Sequence, residues 1–228
     1  MTDIQTLVDV FQVCDSTFPI GTFNHSFGME NYLVRHKIKK APQFREWIEN
    51  YFRSQYCYGE GLLTILCKDA SIEEILRYDD LITKSTLAKE TRDGTKLIAR
   101  QMYILIQKIY GDAIPLLNSY ASKVEEEEAY GNPSIVFSLF AYFMGLEAKD
   151  IFHMYGYSVA STLVQNAVRA VPLGQREGQV ILHDVTKLID AQFDEVITYD
   201  EEMLGANAPG LELAQIRHES QAARLFMS

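Results

Sequence analysis

Apolar residues recur every three or four positions along almost the whole chain, and this spacing is the feature that most constrains the fold. Ile4, Leu7, Val8 and Phe11 show it near the N-terminus. Residues at this spacing lie on one face of an α-helix. Nowhere do apolar and polar residues alternate between hairpin turns, as they do in half-buried strands. The chain is therefore predicted to be all-α, a compact single-domain bundle of about ten helices without internal repeats.

Proline, glycine and capping residues mark the ends of the predicted helices. A helix is predicted from about Asn24 to His36, and a last one from Leu211 to Phe226. The run Asn207-Ala208-Pro209-Gly210 is interpreted as a linker. Residues 1–206 are then the bundle, and residues 207–228 are a linker with a C-terminal helix of the same domain. We expect this second part to be loosely held in the free protein and to bind a partner.

Composition excludes several classes of function. The 228 residues include 21 basic and 31 acidic ones, for a net charge of −10. No basic stripe is present, which argues against a nucleic-acid partner. No apolar run approaches the length of a membrane span, and the N-terminus shows no signal-peptide pattern. The three cysteines lack C-x-x-C spacing, as is typical of reduced thiols, so the protein is expected to be cytoplasmic without a membrane partner.

Motifs of the common catalytic classes are missing. The sequence has no P-loop, no G-x-S-x-G elbow and no obvious pair of catalytic carboxylates. Its five histidines are scattered, with no H-x-H or H-x-x-x-H pair. We predict no catalytic residue, no metal site and no directly bound cofactor in this chain.

The run from Asp15 to Glu30 is a shaped loop, because Pro19 fixes φ and Gly21 permits a left-handed turn. One interpretation is a turn between helices, in which Asn24 caps the next helix. The alternative is a nucleophilic site, in which Ser16 or Ser26 acts with His25 as in a small serine hydrolase or transferase.

Two other stretches are candidate contact surfaces. Gln175, Arg176 and Gln179 lie at a helix start, where exposed N–H groups and flexible polar side chains meet. The alternative is a helix start whose side chains accept the hydrogen bonds of its own backbone N–H groups, without a partner. The last helix has an apolar face that suits docking in a partner's groove, and the alternative is packing on its own bundle.

The same three stretches carry a family resemblance. The first has the form D-S-x-x-P-x-G-x-F-x-H-S-x-G-[LM]-E. The second is Pro172-Leu173-Gly174-Gln175 with Gly178-Gln179, and the third is Arg217-His218-Glu219 with Arg224-Leu225-Phe226-Met227-Ser228. In this order they resemble the UreF family of urease accessory proteins. The stretch Thr91-Arg92-Asp93-Gly94 departs from the small residues expected there.

The resemblance implies a factor for nickel insertion into urease that has no catalysis of its own and forms a homodimer. Its implied partners are a nickel-carrying GTPase of the UreG type, a scaffold of the UreD/UreH type and, through them, apo-urease. Nickel and GTP act through these partners. The implied GTPase-facing residues are Pro172, Leu173, Gly174, Gln175, Arg176 and Gln179. The implied scaffold-facing residues are Arg217, His218, Glu219, Arg224, Leu225 and Phe226. The implied supporting loop contains Asp15, Ser16, Pro19, Gly21, His25, Ser26, Gly28 and Glu30.

Overall fold

A computed structural model describes residues 3–206 and 208–227, and these residues form an all-α bundle without β-strands. This confirms the predicted fold class. The described residues contain eleven α-helices: α1 Ile4–Cys14, α2 Met29–Val34, α3 Ala41–Tyr51, α4 Glu60–Leu66, α5 Ile72–Ser85, α6 Lys89–Tyr110, α7 Pro115–Glu125, α8 Pro133–Phe143, α9 Ala148–Ala170, α10 Gln175–Val196 and α11 Pro209–His218. Within these residues, no helix is both long enough and apolar enough to cross a bilayer.

Helix α9 lies at the centre of the bundle and packs against α1, α3, α4, α8 and α10. Its close approach to its neighbours depends on Gly156. A Cβ atom there would lie 3.0 Å from the hydroxyl of Tyr56 and 3.1 Å from the side chain of Ile189. The small residue therefore lets the helices approach closely.

A five-residue π-helical segment, Phe52–Tyr56, joins α3 to a turn before α4. Such segments place side chains where a regular helix would not. Here Tyr56 is buried and its hydroxyl donates a hydrogen bond to the carbonyl of Phe152, at 2.5 Å. Gly61 packs against the Tyr56 ring, with 2.6 Å between that ring and a Cβ built on the glycine. Trp47 of α3 is buried in the same aromatic cluster, as expected for a core residue.

The predicted helix from Asn24 to His36 is wrong at its start. Residues Thr22–Asn24 form one turn of 3-10 helix, and α2 begins only at Met29. Phe27 and Gly28 have φ values of 50° and 91°, and a helix cannot pass through this left-handed backbone. Asn24 therefore does not cap α2.

The boundaries of the last predicted helix are also wrong. Pro209 and Gly210 are the first residues of α11 rather than a linker, since proline fits the first turn of a helix. Asn207 lies outside the described residues. The helix ends at His218, residues 219 and 220 form a turn, and residues 221–227 continue as bends and irregular backbone. Helix α7 was not predicted, although Pro115 and the spacing of Leu117, Tyr120 and Val124 are its signals.

A cavity of about 220 Å³ opens between α3, α4 and α6. Its lining includes the carboxylate of Glu60, which also faces a smaller neighbouring cavity. Burial raises the pKa of Glu60 from 4.5 to about 7, against the opposing effect of its hydrogen bond with Tyr155. The carboxyl group is therefore easier to ionise in the unfolded chain than in the folded one.

We expect this group to make stability depend on pH. Between pH 4.5 and about 7 the folded protein holds a proton on Glu60 that the unfolded chain has lost. The contribution of this carboxyl group to the free energy of unfolding is therefore fully present below pH 4.5 and is lost as the pH rises to about 7. Glu60→Gln should therefore raise the free energy of unfolding by about 1–3 kcal/mol near about pH 8, and by much less near about pH 5. Urea denaturation at both pH values measures this. The exposed Glu73→Gln is the matched control, and an equal gain at both pH values would contradict the assignment.

Candidate functional site

The loop from Asp15 to Glu30 starts as a tight turn and ends buried. The Asp15 carboxylate accepts hydrogen bonds from the backbone N–H and the hydroxyl of Thr17, at 2.7 and 2.5 Å. Gly21 then takes a left-handed conformation with φ of 87°. Ser16 and Pro19 remain exposed, whereas His25 and Ser26 are buried.

The His25 ring packs directly on the backbone of α6. A Cβ atom built on Gly94 would lie 2.5 Å from Cε1 of His25, which is closer than real contacts allow. The carbonyl of His25 accepts a hydrogen bond of 2.8 Å from Nδ2 of Asn166 in α9. Burial, and next the neighbouring charge of His218, lower the pKa of His25 below 6.5.

These contacts favour a structural role for the loop over the serine hydrolase interpretation. Ser26 is fully buried, and its Oγ accepts a hydrogen bond from the backbone N–H of Glu30 at 3.3 Å. Ser16 lies on the surface, whereas His25 is enclosed between the loop and Gly94. A nucleophile and its base must both be open to a substrate. Ser26 and His25 are buried, so neither Ser26 nor the pair of Ser16 and His25 meets this condition.

Helix α11 packs on the end of this loop at Gly28. A Cβ atom on Gly28 would lie 3.1 Å from Cγ of Gln215 and 3.3 Å from the carbonyl of Leu211. The Gln215 amide donates a hydrogen bond of 3.3 Å to the carbonyl of Phe27. Gly28 thus provides both the left-handed turn and the close approach.

At the end of α11, His218 is fully buried between two carboxylates. Its Nδ1 lies 2.7 Å from Glu90 and its Nε2 lies 3.0 Å from Glu30. A neutral imidazole has one N–H, so donation to both carboxylates requires the imidazolium or a proton on one carboxyl group. With His218 charged, it and Arg224 balance the two carboxylates, since Arg224 pairs with Glu90 at 2.5 Å.

The residues after α11 bind to the carboxylate of Glu30. The backbone N–H groups of Leu225 and Phe226 donate to Glu30, at 2.5 and 3.0 Å. The N–H of Met227 donates to the carbonyl of Asn24 at 2.7 Å, and the Phe226 ring is buried. The C-terminal segment 219–227 is therefore bound to the loop along its last residues.

Arg169 connects these elements to the second candidate surface. Its guanidinium donates to the carbonyl of Phe23 at 3.3 Å and lies 5.8 Å from the centre of the Phe226 ring. Arg169 is in the last turn of α9, immediately before the Pro172 turn and α10. The three stretches that carry the family resemblance thus lie next to one another in space.

The second surface is mostly accessible. Pro172, Gly174 and the three polar side chains Gln175, Arg176 and Gln179 are exposed. Leu173 is buried and anchors the turn to the core.

The C-terminal candidates divide into two groups. Arg217, Glu219, Arg224 and Leu225 are exposed, whereas His218 and Phe226 are buried in the bundle. In this conformation their side chains hold the segment itself in place, and the scaffold-facing role expected of these two residues stays a prediction. The expectation that the segment is loosely held in the free protein stays a prediction, and these contacts are what would have to break.

Sequence reasoning missed several residues that hold the site together. The missed residues are Glu90, Gly94, Asn166, Arg169 and Gln215. They belong to no motif and come from three different helices, so only their spatial position reveals them. Gly94 alone gave a signal, because it lies in the stretch where the family pattern fails.

Metal ligands do not gather anywhere in residues 3–206 and 208–227: no three His, Cys, Asp or Glu side chains there are placed to hold one ion. Glu30 and Glu90 contact different nitrogens of His218, so these three groups do not share a common coordination point.

Comparison with known proteins decides the family. A sequence model described as UreF matches residues 38–186. The urease accessory protein UreF of Streptococcus salivarius (strain 57.I) is 49% identical over 229 residues, covering 99% of this chain and 96% of that protein. The chain belongs to the UreF family. Two further relatives with the same name agree, one from Streptococcus thermophilus (strain ATCC BAA-491 / LMD-9) at 49% identity and one from Bacillus sp. (strain TB-90) at 37% over 226 residues.

The UreF match covers the three stretches unequally. The family model includes the Pro172 turn, whereas the Asp15–Glu30 loop and the C-terminal segment lie outside residues 38–186. The alignments with the UreF relatives span nearly the whole chain and include both. The resemblance inferred from the sequence is thus confirmed.

The contact between His25 and Gly94 gives a sharp test of the site. Gly94→Ala should lower the free energy of unfolding by about 1–3 kcal/mol, because the new methyl group overlaps the ring. In a His25→Ala background the same change should cost much less, because the ring is gone. A double-mutant cycle by urea denaturation measures the coupling. An equal cost of Gly94→Ala in both backgrounds would contradict the contact.

Proposed function

We propose that this UreF-family protein bridges two other accessory proteins during urease maturation. One is a nickel-carrying GTPase of the UreG type, and the other is a scaffold of the UreD/UreH type that contacts apo-urease. The protein works as a homodimer, has no catalysis of its own, and supports GTP-dependent nickel insertion by holding its partners in place. Nickel and GTP are bound by the partners.

One observation supports the proposal: two exposed polar surfaces lie next to each other on the bundle. Arg169 comes just before the Pro172 turn in the chain, and its exposed side chain contacts Phe23 in the loop and Phe226 in the C-terminal segment. A bridging protein needs its two contact surfaces at a fixed separation, and rigid helices provide this better than loops.

We assign the GTPase-facing surface to the start of α10. Gln175, Arg176 and Gln179 project into solvent there. The first N–H groups of α10 add unpaired donors and a positive helix end, which suit carboxylates or carbonyls of a partner.

The scaffold-facing surface is assigned to the exposed part of α11 and the C-terminal segment. Leu225 and Met227 are 55% and 58% exposed, and Arg217 and Glu219 are exposed as well. Exposed apolar side chains surrounded by charged ones are typical of a protein–protein contact.

The cytoplasm is the proposed site of action. The three cysteines are free and buried, and burial raises the pKa of each thiol. Such thiols suit a reducing compartment, where a GTPase partner would also be found.

The test is a binding experiment with the purified scaffold and GTPase. The wild-type protein should form a complex containing all three proteins. Changing Gln175 and Gln179 together to Ala should weaken GTPase recruitment about tenfold, since each truncation removes a polar contact worth about 1 kcal/mol or less. The scaffold complex should persist, and the free energy of unfolding should change by no more than about 0.5 kcal/mol.

Gln12→Ala is the matched control, because Gln12 is an exposed glutamine on α1, away from the proposed surface. The GTPase assignment fails if the double variant recruits the GTPase as well as the control does. The bridging function itself fails if the wild-type protein binds neither partner.

A further inference from the structure

A basic groove lies between α11 and the loop that follows α2. It encloses about 220 Å³ and is lined by three cations, Arg35, Lys37 and Arg217. Tyr32 and Leu213 give it apolar walls, and Leu213 is 43% exposed. The groove thus combines positive charge with an apolar space the size of a side chain.

These cations have no acidic partner within the part of the chain that the structure describes. None of its ion pairs includes Arg35, Lys37 or Arg217, or the neighbouring Lys39 and Lys40. All five are exposed. In a chain with a net charge of −10, a group of unpaired cations is an unusual concentration of positive charge.

Helix ends account for only part of this charge. Arg217 lies in the last turn of α11 and Arg35 is the C-cap of α2, where cations stabilise a helix. Lys37 lies beyond the end of α2 at Val34. Lys39 and Lys40 come directly before Ala41, the first residue of α3, where the helix end is positive and cations are locally unfavourable. The charge of these three lysines is therefore available for a partner.

We propose that this groove binds an acidic segment of the scaffold protein, with carboxylates against Arg35, Lys37 and Arg217 and an apolar side chain between Tyr32 and Leu213. The inference rests on the proposed function and deepens it, because it extends the scaffold-facing surface from Arg217 to the loop after α2. Arginine supplies the paired donors that match a carboxylate, and the lysine adds charge.

An acidic protein segment fits better than nucleic acid or an anionic membrane. The net charge of −10 repels an extended polyanion at long range, whereas a short segment meets only the local positive field. A groove with apolar walls also suits an amino-acid side chain, and phosphate binding needs no such walls.

The experiment compares charge reversals in the full chain, with the purified scaffold as the probe. Lys37→Glu and Arg217→Glu should each weaken scaffold binding about tenfold or more, since like charges then face each other. Lys108→Glu is the matched control, because Lys108 is exposed on α6 and in none of the ion pairs. It makes the same change in net charge and should alter binding less than about twofold.

Wild-type affinity should also fall more steeply with added salt than that of Lys37→Glu. If Lys37→Glu lowers the melting temperature, Lys37→Gln replaces it in the binding assay, because this change removes the charge without reversing it. Equal affinities of wild type, Lys37→Glu and Lys37→Gln would overturn the inference and leave the proposed bridging intact. Failure of the wild-type protein to bind the scaffold would overturn both.

Two further probes separate the other sources of negative charge. Duplex DNA and vesicles containing phosphatidylserine should not bind the wild-type protein at physiological salt. Binding of either that disappears in Lys37→Glu, but not in Lys108→Glu, would overturn the assignment to a protein segment.

Discussion

The carboxylate of Glu30 is the group on which the rest of the candidate site depends. It lies at the end of a loop that proline and glycine shape, and it accepts hydrogen bonds from the N–H groups of Leu225 and Phe226. It also faces His218, whose other nitrogen meets Glu90. A buried carboxylate is costly unless hydrogen-bond donors surround it. The C-terminal segment supplies N–H donors to the Glu30 carboxylate, and the loop thereby supplies the acceptor for the N–H groups of that segment. Loss of either side would leave unpaired polar groups in the core.

This mutual dependence explains how distant parts of the chain become one surface. The His25 ring of the loop packs on Gly94, and the His25 carbonyl accepts a hydrogen bond from Asn166. Arg169, just before the turn that leads to α10, donates a hydrogen bond to the carbonyl of Phe23 in the loop. The contact surfaces proposed for the two partners therefore share a common support.

Much of the fold could be predicted from the sequence, and the reasons are physical. The long helices α6 and α10 carry regular apolar faces, which the spacing of apolar residues predicts. Boundaries failed where tertiary contacts override local propensity. The left-handed Phe27 and Gly28 delay α2. Leu225 and Phe226, which were predicted to be helical, donate their N–H groups to Glu30 instead. The partners of the Glu30 carboxylate lie 188 residues or more away in sequence, a separation that no local pattern encodes.

The central claim is that Glu30 holds the C-terminal segment on the bundle in the free protein, which is the opposite of the loosely held segment expected from the sequence, and one measurement decides between the two. Hydrogen exchange at the amides of Leu225 and Phe226 tests it most directly, in the wild-type protein and in Glu30→Gln, with Glu73→Gln as control. The account predicts protected amides in the wild type and in the control, and exchange about tenfold faster or more in Glu30→Gln. Rapid exchange of both amides in the wild-type protein, or equal protection in Glu30→Gln, would contradict it.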